Sequence, residues 1–414
     1  MRRLVLMAAG LIAGCASLPP PVIGGTVAPG CEAVETAFRR NFTERGELGA
    51  AVAAYWRGQK IVDLWGGYAD RATARPWTED TAVVVFSTTK GLAAMTLALA
   101  HARGWLDYDA KVSKYWPEFA EAGKQDITVR QLLGHEAGLV LLDAEVTVKD
   151  AADLDGLATV LARQKPVWKP GERHGYHAST IGMYMNELLR RVDPLHRSLG
   201  RFFQEEIAGP LGIEFYIGLP LDFPGDKLAR LETLTPLRGM VNLEKLPPPT
   251  RMKVIWPASL FTRSLSIPAG YDPNARESLA IELAAGNGVG TARAIAKAYD
   301  VLASGSPVVK LDAQTLSALY AAPRSPPAGP VDEVMGVPAY FSLGFWKPTP
   351  HLDFGSSRRA VGSTGAGGSF AFADPDRQLS YAYVMNRMDF YLMGDPREKA
   401  LRDAVYDCVR VLLR

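Results

Sequence analysis

The sequence has little net charge, few histidines and few cysteines. Its 414 residues carry 46 Lys and Arg against 44 Asp and Glu, a formal net charge of +2, with no long basic run. This balance argues against a nucleic-acid partner, because the phosphate backbone demands a basic surface. The six histidines and three cysteines show no spacing typical of a metal site. We therefore expect neither a metal ion nor an organic cofactor.

The apolar run at the N-terminus, residues 4–13, is too short to span a bilayer as a permanent helix. It follows two arginines, so residues 1–14 are predicted to be a signal peptide. Leu-Ile-Ala-Gly-Cys at residues 11–15 resembles the lipobox of bacterial lipoproteins. That resemblance implies lipidation of Cys15 and a place on the periplasmic side of the envelope, with Ala16 favouring the outer membrane. A plain secretory signal peptide is the alternative.

Residues 15–30 are rich in Pro and Gly and are predicted to form a lipidated tether that holds the globular part off the membrane. Export places the chain in an oxidising compartment. Two cysteines other than Cys15 remain, Cys31 and Cys408. Two interpretations remain open at this point: the two cysteines form a disulfide, or they are unrelated buried thiols.

Ser-Thr-Thr-Lys at residues 87–90 stands between an apolar run and an Ala- and Leu-rich segment that stops at Gly104. That composition favours a helix that begins at Ser87 and ends near the glycine. Residues three apart share a helix face, so a desolvated Lys90 can remove the proton from the Ser87 hydroxyl. The simpler interpretation is a serine N-cap beside a solvated lysine.

Tyr176 lies after a Pro-Gly turn and just before a predicted helix that begins at Ala178. A lysine ammonium nearby would favour the tyrosine phenolate, which could relay the serine proton. The neighbours His174 and His177 are candidates to line the same cleft. A tyrosine that only packs at an interface is the alternative.

Gly-Ser-Thr-Gly-Ala-Gly-Gly-Ser at residues 362–369 leads into a predicted strand. Glycine lets backbone approach a ligand closely, and an edge strand offers free N–H groups to an oxyanion. A glycine-rich loop without a binding role is the alternative. No Gly-x-Ser-x-Gly turn surrounds a serine, so a Ser-His-Asp hydrolase fits less well.

Strand-like segments lie at both ends of the sequence, and helices occupy the middle. We predict an α/β fold of the α+β type: one antiparallel sheet flanked by helices, with an all-helical lobe inserted. The sheet lobe comprises about residues 31–104 and 287–414, and the helical lobe about 105–286. Within the latter, the irregular, proline-rich residues 231–276 are predicted to be a lid or cleft wall.

The three stretches around Ser87, Tyr176 and residues 362–369 resemble, in this order, the serine β-lactamase and penicillin-binding-protein superfamily. More narrowly they are similar to its class C β-lactamase-like branch, which includes family VIII carboxylesterases, D-amino-acid peptidases and acyltransferases. The resemblance covers most of residues 31–414. It implies a β-lactamase/transpeptidase-like fold whose first and last helices meet on the sheet, which would bring Cys31 and Cys408 together.

By this resemblance Ser87 is the nucleophile, Lys90 its base, and Tyr176 the tyrosine of the Tyr-x-Asn motif. The oxyanion hole would be formed by the backbone N–H groups of Ser87 and Ala366. A third motif, Lys-Thr-Gly, would correspond to the substrate-binding stretch Ser363, Thr364 and Gly365.

Two departures from the family pattern bear on the substrate. Ala178 replaces the asparagine and Ser363 replaces the lysine, so an amide and a cation are both missing. This favours a neutral acyl substrate, with Trp256, Phe261 and Tyr271 as candidate walls of an apolar pocket. We therefore expect a serine hydrolase that cleaves small carboxylic esters through an acyl-enzyme. An acyltransferase, D-amino-acid peptidase or weak β-lactamase, acting on an ester or amide, and a non-catalytic envelope binding module are the alternatives.

Overall fold

The main element of the fold is an antiparallel sheet of nine strands, which takes strands from both ends of the chain. The computed structural model describes residues 18–266 and 268–413, so the predicted signal peptide and Cys15 lie outside the described residues. The strands are β1 (Ile23–Val27), β2 (Gly49–Trp56), β3 (Gln59–Asp70), β4 (Arg75–Pro76), β5 (Val83–Val84), β6 (Phe215–Tyr216), β7 (Val289–Gly290), β8 (Phe341–Ser342), β9 (Phe345–Trp346), β10 (Val361–Thr364), β11 (Phe370–Asp374) and β12 (Leu379–Met385). The sheet order is β1-β3-β2-β12-β11-β10-β9-β8, with β4 on β3.

Helices cover both faces of this sheet and fill the inserted lobe. They are α1 (Glu32–Glu44), α2 (Thr89–Ala102), α3 (Val129–Leu133), α4 (Val148–Ala152), α5 (Leu154–Arg163), α6 (Thr180–Val192), α7 (Leu199–Phe203), α8 (Gly209–Leu211), α9 (Pro236–Met240), α10 (Pro248–Ile255), α11 (Leu260–Leu265), α12 (Arg276–Ala280), α13 (Ala292–Ala303), α14 (Ala313–Tyr320) and α15 (Pro396–Leu412). Short 3₁₀ helices lie at Phe86–Thr88, Val112–Lys114, Pro117–Gly123 and Leu243–Lys245, and a π-helix at Gln204–Ala208.

The alternation of side chains along the central strands explains the two helical layers. In β2, Ala50, Val52 and Ala54 pack under α1 and α15, whereas Ala51 and Ala53 belong to the core shared with α2 and α13. Small residues on both faces let helices approach the sheet from either side. The predicted fold class is confirmed by this arrangement.

Cys31 is the N-cap of α1, and Cys408 lies in α15. The two helices pack against each other, and the cysteines form a disulfide with their Cα atoms 4.6 Å apart. The bond joins the first and the last helix of the domain on one face of the sheet.

The predicted tether is wrong over its second half. Ile23–Val27 is not a free linker but the edge strand of the sheet, paired antiparallel with β3. Gly25 permits this approach: its φ is +107°, and a Cβ there would lie 2.0 Å from the Asp63 carbonyl oxygen. The chain is thus fixed to the domain from about Pro19, whose carbonyl oxygen accepts a hydrogen bond from the Tyr68 hydroxyl.

Two other parts of the chain combine elements of different kinds, and the second of them corrects the predicted all-helical lobe. Residues 339–345 do not form one strand, because Leu343 and Gly344 have φ values of +51° and +89° and turn the chain into the hairpin β8–β9. The inserted lobe is not wholly helical, since β6 pairs with β7 in a second, three-stranded sheet. In the described residues, no helix is both long and apolar enough to cross a membrane.

Candidate active site

Ser87 lies in a 3₁₀ turn rather than in the first turn of the α-helix as predicted. The turn Phe86–Thr88 precedes α2, and Phe86 has a φ of +44°. A bulky residue with positive φ is strained, and such strain persists where surrounding contacts fix it. Here the Thr89 hydroxyl donates to the Phe86 carbonyl oxygen, and the Thr88 hydroxyl lies 3.0 Å from that of Ser369. The turn presents Ser87 to a cleft.

Lys90 lies directly behind the Ser87 hydroxyl. Its Nζ is 2.9 Å from Ser87 Oγ and donates to the carbonyl oxygens of Ala178, at 2.6 Å, and Ala285, at 2.8 Å. The side chain is 1% exposed, and burial holds the pKa of the amine well below its usual 10.5. A neutral amine has two N–H groups for the two carbonyls and one lone pair for the serine proton. The arrangement therefore suits a general base.

Tyr176 completes a trio with Ser87 and Lys90. Lys90 Nζ lies 4.8 Å above the centre of the tyrosine ring, and Phe341 stacks on that ring. Burial raises the pKa of the Tyr176 hydroxyl above 10, partly opposed by its contact with Ser87. The prediction that the phenolate is favoured is therefore wrong, because desolvation of the phenol outweighs any charge nearby. Tyr176 is a neutral hydroxyl next to the nucleophile.

Asp332 supports the backbone of Tyr176. Its carboxylate accepts backbone N–H bonds from Val334, at 2.9 Å, and Met335, at 2.7 Å, and lies against the Tyr176 backbone. Burial raises the pKa of this carboxyl to about 7. Sequence analysis missed Asp332, since a single aspartate in a turn carries no motif.

His177 does not line the cleft, contrary to the prediction, and neither does His174. The His177 ring is fully buried: Nδ1–H donates to the Gly175 carbonyl oxygen and Nε2 accepts the Leu139 N–H. Burial lowers its pKa to about 3, so the ring is neutral. The backbone N–H of His177 donates to Nδ1 of the buried His135. These rings hold the loop before α6 in place and do not contact a substrate.

Strand β10 brings the third predicted stretch alongside the Ser87 turn. Thr364, Gly365 and Ala366 line the cleft, but Ser363 does not. The Ser363 side chain is fully buried and donates from Oγ to the Ser87 carbonyl oxygen at 2.6 Å. Its predicted contact with substrate is therefore wrong; it fixes the backbone of Ser87 instead. Glycine is required at 365, where a Cβ would lie 2.3 Å from the Val85 carbonyl oxygen.

Arg397 holds the turn that follows Ala366. Its Nη2 donates to the Gly367 carbonyl oxygen at 2.7 Å and to Asp395 Oδ2 at 2.7 Å. Arg397 Nη1 also donates to Glu47, so the buried guanidinium is paired on two sides. Sequence analysis missed this residue too, because its partners are distant in the sequence.

The cleft in front of Ser87 has a volume of about 400 Å³ and mostly apolar walls. Its lining comprises Ser87, Tyr176, Ala178, Leu234, Leu246, Val254, Phe261, Thr262, Ser264, Leu265, Ser266, Val334, Met335, Trp346, Thr364, Gly365, Ala366, Gly367, Asp389, Phe390, Tyr391 and Leu392. No Lys or Arg belongs to this set of described residues, and its single carboxylate, Asp389, is paired with Lys245 at 2.6 Å. Of the three predicted aromatic walls, Phe261 lines the cleft, whereas Trp256 and Tyr271 do not.

Comparison with known proteins gives a consistent result. The Beta-lactamase family model matches residues 35–405. The chain is 33% identical over 368 residues to "Esterase/beta-lactamase LipL" of Mycobacterium tuberculosis, covering 88% of this chain and 83% of that protein. Among solved structures, a family VIII carboxylesterase is similar with a TM-score of 0.81 and 35% identity, covering 94% of this chain and all of that one. A penicillin-binding-protein homologue from Caulobacter crescentus has a TM-score of 0.80, 35% identity and the same coverage.

Proposed function

Given that the chain belongs to the Beta-lactamase family and is a carboxylesterase-type serine hydrolase, we propose that it cleaves neutral carboxylic esters through an acyl-enzyme on Ser87. The observation that carries the proposal is the position of Lys90. Its amine, desolvated and bonded to two main-chain carbonyls, has its remaining electron pair available to the Ser87 hydroxyl.

The first half-reaction uses this pair of residues. Lys90 Nζ takes the proton of Ser87 as Oγ attacks the ester carbonyl, and the backbone N–H groups of Ser87 and Ala366 donate to the oxyanion. Collapse of the tetrahedral intermediate breaks the bond to the alcohol oxygen. Lys90 returns its proton to that oxygen through the hydroxyl of Tyr176, which contacts Ser87 and belongs to a residue that lines the cleft.

Water completes the cycle. It enters the place left by the alcohol, gives a proton to Lys90 through the same hydroxyl, and attacks the acyl-enzyme carbonyl. The second tetrahedral intermediate expels Ser87 Oγ, which recovers its proton from Lys90. The carboxylic acid leaves and the amine is neutral again.

The composition of the cleft supports an uncharged substrate. The walls offer apolar contact to an acyl or alkyl group but no free cation to a carboxylate. Ala178 lines the cleft where the family asparagine would bind an amide, and Ser363 is turned away from it. Both features favour esters over β-lactams and peptides.

We further propose that the enzyme is a lipoprotein, anchored through Cys15 on the periplasmic side of the outer membrane. This rests on the lipobox-like residues 11–15 and on the apolar run before them. The fixed position of Pro19 on Tyr68 leaves three residues, 16–18, and at most about 14 Å of extended chain between Cys15 and Pro19.

Labelling with a fluorophosphonate tests the hydrolase proposal. The probe is added to wild type and to Ser87→Ala, and the intact mass of each protein is measured. One adduct on wild type and none on the variant is the expected result. A folded wild-type protein without an adduct would point to a non-catalytic binding module, and equal labelling of both proteins would show that another serine reacts.

A further inference from the structure

Exposed apolar side chains concentrate on the segment that covers the cleft. We call residues 236–266 the cover segment; it includes α9, α10 and α11. Six of the fourteen large apolar side chains that are strongly exposed in the described residues belong to it: Met240, Val241, Met252, Ile255, Trp256 and Leu265. Such clustering on a water-facing surface marks an interaction site.

Helix α10 is apolar on two sides. Val254 points into the cleft, and the buried Thr250 bonds to the Met335 carbonyl oxygen. On the other side Met252 and Ile255, three residues apart, share a face of α10, and Trp256 follows the helix as its C-cap. These three side chains are 68%, 56% and 65% exposed. A water-facing helix side is normally polar, so this outer face has the composition of a surface that is covered by something apolar.

The charge of the cover segment indicates what that apolar partner is. The segment has five basic residues and one acidic residue, a charge of +4 in a chain whose total is +2. Arg263 is exposed, whereas Arg251 and Lys253, on either side of Met252 in α10, are partly buried and donate to main-chain carbonyl oxygens. Helices that lie in the interface of an anionic bilayer typically combine apolar side chains, a tryptophan and basic residues.

A series of hydrogen bonds links the beginning of the described chain to the cover segment. Tyr68, whose hydroxyl donates to the Pro19 carbonyl oxygen, accepts through its own carbonyl oxygen from the Asn386 amide at 2.9 Å. Two residues further on, the Met388 carbonyl oxygen accepts from Arg238 Nη2 at 2.9 Å, and Arg238 belongs to the cover segment. An anchor at Cys15, four residues before Pro19, would keep the domain close to the lipid surface.

We propose that the outer face of the cover segment, formed by Met252, Ile255 and Trp256 with Arg263 beside it, docks on an anionic phospholipid bilayer. The segment that covers the cleft then lies at the lipid interface, where esters dissolved in the membrane are concentrated next to the cleft. The docking goes beyond the proposed hydrolysis, whereas the supply of esters to Ser87 rests on that proposed function and on the proposed anchor at Cys15.

Emission from Trp256 tests the docking directly. The full chain and its Trp256→Phe variant are reconstituted in vesicles of phosphatidylethanolamine and phosphatidylglycerol, with and without brominated acyl chains. The difference between the two proteins isolates the emission of Trp256. We expect the Trp256 emission to be at least about twofold weaker in vesicles with brominated chains than in vesicles without them, because an interfacial tryptophan lies next to the upper acyl chains. Unquenched difference emission would overturn the proposal.

Matched variants show which side chains are responsible. Met252→Ser with Ile255→Ser is expected to abolish most of the quenching, and Arg263→Gln to weaken it on these vesicles but not on phosphatidylcholine alone. The control is Leu195→Ser with Leu221→Ser, two equally exposed leucines elsewhere, which should leave quenching unchanged. Burial of Trp256 by a second copy, seen as a concentration-dependent blue shift without vesicles, would contradict the proposal. Fluorophosphonate labelling remains intact in every variant, so failure of docking is distinct from failure of the hydrolase assignment.

Discussion

Ser363 and Ser87 are joined by a hydrogen bond that runs from the Ser363 hydroxyl to the Ser87 carbonyl oxygen over 2.6 Å. The residue that replaces the family lysine thus acts on the backbone of the nucleophile. We expect Ser363→Ala to lower kcat about five- to thirtyfold with little change in KM, the loss of roughly 1–2 kcal/mol. Steady-state hydrolysis of a short-chain ester measures this. Ser380→Ala, a buried hydroxyl on the same sheet without a hydrogen-bond partner among the described atoms, is the control and should keep wild-type kcat.

The lowered pKa of Lys90 predicts a pH profile. The base works only when unprotonated, so kcat/KM should rise with pH through one ionisation and level off well below the 10.5 of an ordinary lysine, because burial lowers this pKa. Initial rates on a neutral ester across pH give the curve. Lys124→Met removes another buried lysine, outside the site, and should leave the ionisation in place. An ionisation near 10.5 would contradict the assignment of Lys90 as the base.

Tyr176 is expected to act through its neutral hydroxyl. Tyr176→Phe keeps the ring that packs on Phe341 but removes the proton relay, so we predict a fall in kcat of about 10²–10³-fold with the protein still folded. Tyr184→Phe is the matched control, since that phenol is equally buried in the helical lobe. Wild-type kcat in Tyr176→Phe would show that Lys90 exchanges protons with the alcohol directly.

The cleft should discriminate by charge. An ester with a terminal carboxylate on its acyl chain finds no free cation among the lining residues, so its kcat/KM should be at least about tenfold below that of the uncharged ester. Competition between the two esters measures the ratio. Asp389→Asn removes the ion-pair partner of Lys245, so the lysine becomes available to the substrate carboxylate. The preference for the uncharged ester, measured as the ratio of the two kcat/KM values, should then decrease. Equal rates for both esters in wild type would contradict the proposed neutral-ester specificity.

The disulfide should contribute to stability through the length of the loop it closes. Cys31 and Cys408 are separated by 377 residues, so the bond restricts nearly the whole unfolded chain. We expect Cys408→Ser to lower the free energy of unfolding by about 2–4 kcal/mol. Urea unfolding with and without reductant gives the value, and reductant should destabilise wild type but not the variant. No change in wild type on reduction would show that the bond is energetically neutral.

Relationships between residues close in the sequence were predictable, whereas contacts between residues far apart in the sequence were not. The Ser87–Lys90 spacing fixes both side chains on one helical turn, and Arg57 and Gly58, with positive φ, close the hairpin between the neighbouring strands β2 and β3. Strand β1 was missed because it depends on a partner about forty residues away and looks like a linker on its own. The direction of the Ser363 side chain and the support from Arg397 are likewise set by distant segments.

The two carbonyls that hold the Lys90 amine come from chain segments far from it, the loop before α6 and the loop before β7. The lowered pKa of the Lys90 amine therefore depends on how these separate segments pack around it. If these parts separate enough to admit water, the amine is rehydrated, takes up a proton and no longer activates the serine. We therefore expect local opening of the fold to abolish esterase activity. A partly unfolded molecule would not hydrolyse esters without selectivity.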